Sequence, residues 1–169
     1  MEPKIIIQKL ASNKLVFHSM LTGIEEHEFS WKPSAEQWSL LEILCHLFDE
    51  EKEDFRMRLS HVLHTPADPL PPVMPQEWVE IRQYRKQNFV EKLHQFLAER
   101  EESIAWLQQL QQPKWDNASI HPKYGPLTAK MFLINWLAHD YLHIRQITRV
   151  KYQYLKHASG DPLKYAGRW

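Results

Sequence analysis

His139 and His143 sit four residues apart within the apolar run from Met131 to Val150. On a helix that spacing stacks two side chains one turn apart on a single face. Their imidazoles can then close on one metal ion, as the outer residues of helical zinc motifs do. A third donor is needed, and His46 offers it from far upstream, among Leu44, Leu47 and Phe48. Neutral imidazole brings a lone pair without charge and suits zinc, nickel, iron or copper. Three such ligands leave the ion its full positive charge. With one position open, the ion acidifies a bound water or polarises a thiol or carbonyl. The chain has 10 histidines, so the four-residue spacing alone is a modest signal. Alone on an apolar helix face, His46 would read as a hydrogen-bonded core residue. It is the concurrence of the three that points to a ligand set.

Other chemistry-bearing residues are weighed against plainer roles. Asp140 follows the first ligand as glutamate does in His-Glu-x-x-His proteases, where that residue is the general base. No downstream protease pattern follows, and the plainer reading is a solvated carboxylate or one that orients an imidazole. Glu50 lies one turn after His46 and can act as a base or extra ligand. Its plainer reading is one charge on the wet face Asp49 to Asp54. Gln146 reads as a hydrogen-bonding group inside the bundle, within reach of the ligands' outer nitrogens. Cys45 adjoins His46, but successive helical residues diverge by about 100°, so it reads as a small core residue. Tyr84, Arg85 and Arg100 read as helix-surface residues able to meet an anionic substrate. The seven tryptophans read mainly as packing residues, although Trp136, one turn before His139, can wall the site. His61, His64, His94, His121 and His157 form no paired pattern and read as surface residues.

The positioning elements follow from periodicity. Ile6, Leu10, Phe17, Leu21 and Ile24 predict a first helix over residues 4–22, with Gly23 as its stop. Ser39 and Glu42 form a capping box for a second helix over residues 39–63. Five prolines stiffen the loop 64–76. A third helix is predicted over 76–111 and ends before Pro113. The segment Lys114 to Leu127, with Pro122, Gly125 and Pro126, reads as a second loop. Thr128 can cap a fourth helix over 128–153. The tail reads as irregular, with Tyr165 and Trp169 packing back on the body. No strand-like alternation of useful length is present. The expected fold is all-α: an up-and-down-type four-helix bundle with long loops after helices two and three, one domain over residues 1–169. Bundle cores are where facing helices assemble metal sites.

Bulk properties narrow the function. Lysine plus arginine and aspartate plus glutamate both number 21, which gives no electrostatic reason to expect nucleic acid or an anionic membrane. With 4 glycines and no GxGxxG or Walker pattern, phosphate-cradling loops are disfavoured. The single cysteine fits a reducing compartment. No signal peptide and no membrane span is read. The expectation is a soluble cytoplasmic protein.

Two stretches carry a resemblance. One is Trp31-Lys32-Pro33 with Gln37-Trp38-Ser39-Leu40-Leu41-Glu42-Ile43-Leu44-Cys45-His46-Leu47. The other is His139-Asp140-Tyr141-Leu142-His143-Ile144-Arg145-Gln146-Ile147. Together they resemble the DinB/YfiT-like superfamily of small metal-binding four-helix bundles. That family starts helix two with tryptophan-serine, follows with histidine-leucine, and closes with His-x-x-x-His-x-x-Gln. The resemblance implies that His46, His139 and His143 hold one divalent metal (Zn, Ni, Fe or Mn) and that the protein is a homodimer. It also implies a small-molecule substrate, with a low-molecular-weight thiol as possible co-substrate in the thiol-dependent relatives. The commonest form reads His-Glu-x-His-His-Arg-Gly-Gln; here Leu142, Ile144 and Arg145 depart from it. The expected function is a metal-dependent S-transferase or hydrolase. The alternative is a non-catalytic metal-binding module, structural or sensory. An open metal beside a pocket favours the enzyme; a closed tetrahedral site favours the module.

Overall fold

The computed structural model describes residues 1–121 and 123–167. Helix α1 is Pro3–Leu21. Pro3 suits its first turn, where the missing N–H costs nothing. Ile6, Leu10, Phe17 and Leu21 are its buried stripe. A short helix α2, Glu26–Phe29, follows. The capping box then forms as the sequence predicts: Ser39 Oγ accepts from Glu42 N at 3.2 Å, and Ser39 N donates to Glu42 Oε2 at 2.8 Å. Such a cap is worth about 1 kcal/mol.

The second long helix is not uniform. It comprises α3 (Leu40–Glu50), a π-helical turn (Glu51–Arg56) and α4 (Met57–His64). The expected wet face is only partly wet: Asp49, Glu50 and Glu51 are buried, Lys52 is exposed, and Glu53 and Asp54 are half-buried. The predicted third helix is also broken. It consists of α5 (Pro75–Ile81), a 3-10 turn (Tyr84–Lys86) and α6 (Phe89–Gln109). The break falls at Gln83, whose φ of 49° no helix tolerates. Asn88 restarts the helix by accepting from Glu91 N at 3.0 Å. Polar contacts seat the broken segment on α3: Tyr84 Oη donates to Asp49 at 2.6 Å and Arg82 pairs with Asp49 at 2.9 Å.

The expected second loop contains an antiparallel hairpin of β1 (Ala118–His121) and β2 (Gly125–Thr128), with Ser119 opposite Leu127. Strands of four residues are too short for alternation to show. Gly125, at φ 71°, turns the chain into the second strand. The hairpin is tied to the end of α4 by Ser119 Oγ donating to Pro66 O and by Asn117 donating to Leu63 O, both at 3.0 Å. Helix α7, Ala129–Ser159, is capped by Thr128 and extends beyond the predicted end at 153 to Gly160 in the left-handed conformation. Tyr165 is fully exposed rather than packed back; Trp169 and Pro122 lie outside the described residues.

These stretches make an all-α bundle with one small hairpin. Helix α1 packs chiefly on α6 and α7, while α3 packs on α6 and α4 on α7. The first two long helices are therefore diagonal, and the connector from Gly23 to Ser39 crosses the bundle end. Two apolar clusters result. One gathers Phe17, Leu21, Leu44, Phe96 and Ile147; the other gathers Leu10, Leu59, Leu133 and Trp136. Between them, at mid-height on every long helix, lies a polar layer: Asn13, Glu51, Arg100 and Asp140 together with the three histidines. Among the described residues no helix is long and apolar enough to cross a membrane.

Candidate metal centre

His46 comes from α3, and His139 and His143 from the middle of α7. Their nitrogens converge: His46 Nε2 lies 3.3 Å from His139 Nε2, and His143 Nε2 lies 3.0 Å from the same atom. One nitrogen from each ring falls within 4.8 Å of the others, the sole such three-ligand group among the described residues. Tetrahedral zinc with Zn–N bonds of about 2.05 Å spaces its nitrogens by about 3.3 Å. The rings are thus arranged at ligand separation, and the donor set fits a divalent ion.

The protonation states fit as well. Burial pushes His46 down to about 3, with His143 adding to the effect. Burial, then the other two rings and Arg100, holds His139 well below the ordinary imidazole value. Burial lowers His143 too, against the opposing pull of Gln146 and Asp140. Each ring is neutral at pH 7 and keeps a lone pair for a cation. His143 Nδ1 donates to Gln146 Oε1 at 2.8 Å, which leaves Nε2 unprotonated and facing the centre. His46 Nδ1 is buried without a hydrogen bond, with Glu50 Oε1 3.9 Å away. Its outer nitrogen thus faces a carboxyl group, while Nε2 faces the other two rings.

Aromatic walls enclose the rings. Trp38 lies 4.9 Å from His46 between centroids, and Phe55 lies 4.9 Å from His139. Trp136 packs in the core, as tryptophans at such positions are expected to, rather than walling the site: it stacks on Phe55 and donates from Nε1 to Glu51 at 2.9 Å. It supports the wall from behind. On the open side, His46 and His143 border a cleft of about 510 Å³ with Trp38, Gln146, Arg149 and Gln153. Arg145 and Arg149 line an adjoining cleft of about 560 Å³.

The carboxylate candidates lie elsewhere than expected. Asp140 is neither solvated nor bonded to an imidazole. It is fully buried, and both oxygens accept from Arg100 at 2.7 Å, while Asn13 donates to Oδ2 at 3.0 Å. Glu50 is buried rather than wet and stands behind His46, outside the converging nitrogens. Burial raises its carboxyl group, helped by the nearby charge of Asp54 and their shared hydrogen bond. Arg100 and Tyr84 are core residues, not surface ones; Arg85 is exposed but pairs with Glu42 at 3.0 Å. Cys45 is buried as expected, and burial pushes its thiol up to about 12, so it is inert as a nucleophile.

Sequence reasoning found Gln146 through its spacing from His143. It missed Trp38 as a site wall, because a connector tryptophan carries no positional signal. Phe55 was missed because the π turn re-aims it. His121, which by sequence reads as a surface residue, lines a separate cleft with Asp54 and Phe55.

Comparison with known proteins agrees with this architecture. The uncharacterized protein YuaE of Bacillus subtilis (strain 168) is 24% identical over 143 residues, spanning 78% of this chain and 88% of YuaE. A solved structure of YfiT from Bacillus subtilis, described as a probable metal-dependent hydrolase with an unusual four-helix bundle topology, superposes with a TM-score of 0.79. That match covers 90% of this chain and 87% of YfiT at 16% identity, and it establishes the shared fold. The sequence profile of the DinB superfamily matches residues 14–147, a span that holds all three histidines together with Glu51, Arg100 and Asp140 of the polar layer, and the chain belongs to that superfamily.

Proposed function

We propose that this protein is a metal-dependent enzyme in which His46, His139 and His143 hold one divalent ion. The reaction is hydrolysis or thiol-dependent S-transfer on a small molecule in the cytoplasm. One observation supports this most: three neutral imidazoles converge where two of them, His46 and His143, border an open cleft. A purely structural staple would be closed on all sides. When bound, such an ion polarises a water, thiol or carbonyl at its open position. The chain's own residues do the rest. Gln146 fixes the His143 tautomer, and Trp38 shields the His46 ring from water. Arg149 presents a cation to any anionic part of a substrate at the cleft mouth. Glu50 faces the outer nitrogen of His46 and is a positioning group.

The test is elemental analysis followed by paired assays on metal-loaded and chelated protein. One assay offers ester and amide substrates with water alone. The other adds a low-molecular-weight thiol and follows thiol consumption. The expected result is about one ion per chain and turnover only in the loaded form. Turnover that requires the thiol identifies a transferase; turnover without it identifies a hydrolase. Full metal with no turnover in either assay overturns the enzyme in favour of the non-catalytic module.

We further propose a homodimer. Helix α7 exposes Ile134, Tyr141 and Leu142 at helical spacing on one flank, an apolar face suited to a second copy. Light scattering is expected to give twice the 20.3 kDa chain mass, and Leu142→Glu to weaken association at least tenfold. A monomer at all concentrations overturns the dimer and leaves the metal site untouched.

A further inference from the structure

A second cleft, of about 390 Å³, opens on the other side of Phe55 from the metal centre. Its walls come from the π turn (Asp54, Phe55) with Arg58, from the hairpin (His121, Tyr124, Leu127), and from the first turns of α7 (Met131, Phe132, Asn135). Its size is within the range of small-molecule sites, about 300–1,000 Å³. π turns recur at functional sites, and this one places Phe55 between the cleft and the ring of His139.

The chemistry of the walls is specific. Phe55, Phe132, Leu127 and Met131 make an apolar slot. The one pair of opposite charges cancels, since Arg58 Nε lies 3.1 Å from Asp54 Oδ1. Arg58 is further engaged with Pro71 O at 3.1 Å. Charged ligands therefore find no unpaired counter-charge there. Three neutral hydrogen-bonding side chains remain: His121, Tyr124 and Asn135. His121 Nδ1 accepts from the backbone N–H groups of Lys123 and Tyr124 at 3.1 and 3.3 Å, so its proton sits on Nε2, which is a donor. Asn135 spends one of its two amide N–H groups on Met131 O at 2.8 Å, which leaves the second as a donor and its carbonyl oxygen as an acceptor. The rings of His121 and Tyr124 lie 4.8 Å apart, tilted by 31°, and form an aromatic rim.

An apolar slot with an aromatic rim, no net charge, and neutral donors and acceptors on its walls suits a flat ring bearing a hydroxyl group. A hydroxyl donates and accepts at once, and an aromatic ring fills the slot. We propose that this cleft is a binding site for an uncharged aromatic hydroxyl compound, distinct from the cleft at His46 and His143 and separated from the His139 ring by Phe55. The proposal does not depend on the metal reading.

The probe is 2-naphthol, titrated calorimetrically into the full-length protein, with naphthalene-2-sulfonate as its charged counterpart. Methyl-labelled methionine localises the site by NMR, because Met131 is a wall residue. Saturable 2-naphthol binding is expected, with the sulfonate at least tenfold weaker and the Met131 methyl moving more than the other methionine methyls. Met131→Trp fills the slot and Asn135→Asp adds an uncompensated charge. Both positions are exposed, so both variants should fold, and each should weaken binding at least tenfold. His143→Ala should leave 2-naphthol affinity within twofold. Absent saturation, equal affinity for the sulfonate, unchanged affinity in both wall variants, or loss of binding in His143→Ala each overturns the proposal.

Discussion

His143→Ala is expected to leave the purified protein with almost no metal, while His157→Ala keeps the wild-type content. The difference follows from position. His143 is buried, its Nε2 stands 3.0 Å from that of His139, and its Nδ1 is held by Gln146. Removing it leaves two nitrogens for an ion that needs at least three protein ligands in a catalytic site. Loss of an outer-shell partner alone costs about 10–100-fold in metal affinity, so loss of a ligand should exceed the upper figure. His157 is an exposed residue far along α7, stacked on Trp31 at 5.4 Å. Equal metal loss in the two variants would remove the ligand assignment. The same measurement against pH has a defined sign. An imidazole whose value is depressed in the folded state stays neutral as pH falls through the ordinary 6.5. Protons compete for its lone pair only near the depressed value, about 3 for His46. Metal should therefore persist as pH falls below the ordinary imidazole value of 6.5. Release already near 6.5 would mean that the rings are wet and not preorganised.

The three imidazoles were legible because their signal is local and periodic. Four-residue spacing fixes His139 and His143 on one face in any helix, and an apolar flank places His46 inward. The capping box at Ser39 and the stop at Gly23 were legible for the same reason. What was hidden depends on contacts between distant elements. The run from Asp49 to Asp54 reads as solvent-facing until Arg100, Arg82 and Tyr84 are brought to it from other helices. Asp140 reads as a catalytic or solvated carboxylate until Arg100 meets it. The break at Gln83 has no glycine or proline to announce it, and the hairpin strands are shorter than one alternation pattern. A π turn leaves no signature in sequence at all, yet it decides which way Glu51 and Phe55 point.

The largest stability effect is expected at Arg100. Its guanidinium is 1% exposed and makes two forked ion pairs, to Glu51 at 2.7 and 2.8 Å and to Asp140 at 2.7 Å twice. Burial alone would lower its proton affinity, but Glu51 and then Asp140 more than reverse this and raise it. The triad joins four elements, because Asn13 of α1 bonds Asp140 and Trp136 of α7 bonds Glu51 of the π turn. Arg100→Leu leaves two buried carboxylates without a cation. Breaking one buried pair costs about 3–5 kcal/mol. For a chain of this length about 1 kcal/mol moves Tm by 2–4 °C, so Tm should fall by about 10 °C or more. Arg100→Lys should fall between, since an ammonium group cannot fork to two carboxylates. The triple variant Glu51→Met, Arg100→Leu, Asp140→Leu should recover most of the loss, because apolar replacement of a buried charge network is often neutral. Metal content separates the two roles of the layer. Asp140 adjoins His139 in the chain and Glu51 adjoins Glu50, so a misplaced triad should loosen the histidines and reduce metal uptake even in the fraction that remains folded. A triple variant that regains Tm but not metal would assign the triad to positioning the site; one that regains both would assign it to stability alone. An Arg100→Leu protein that melts within about 1 kcal/mol of wild type would show that the polar layer does not hold the bundle together.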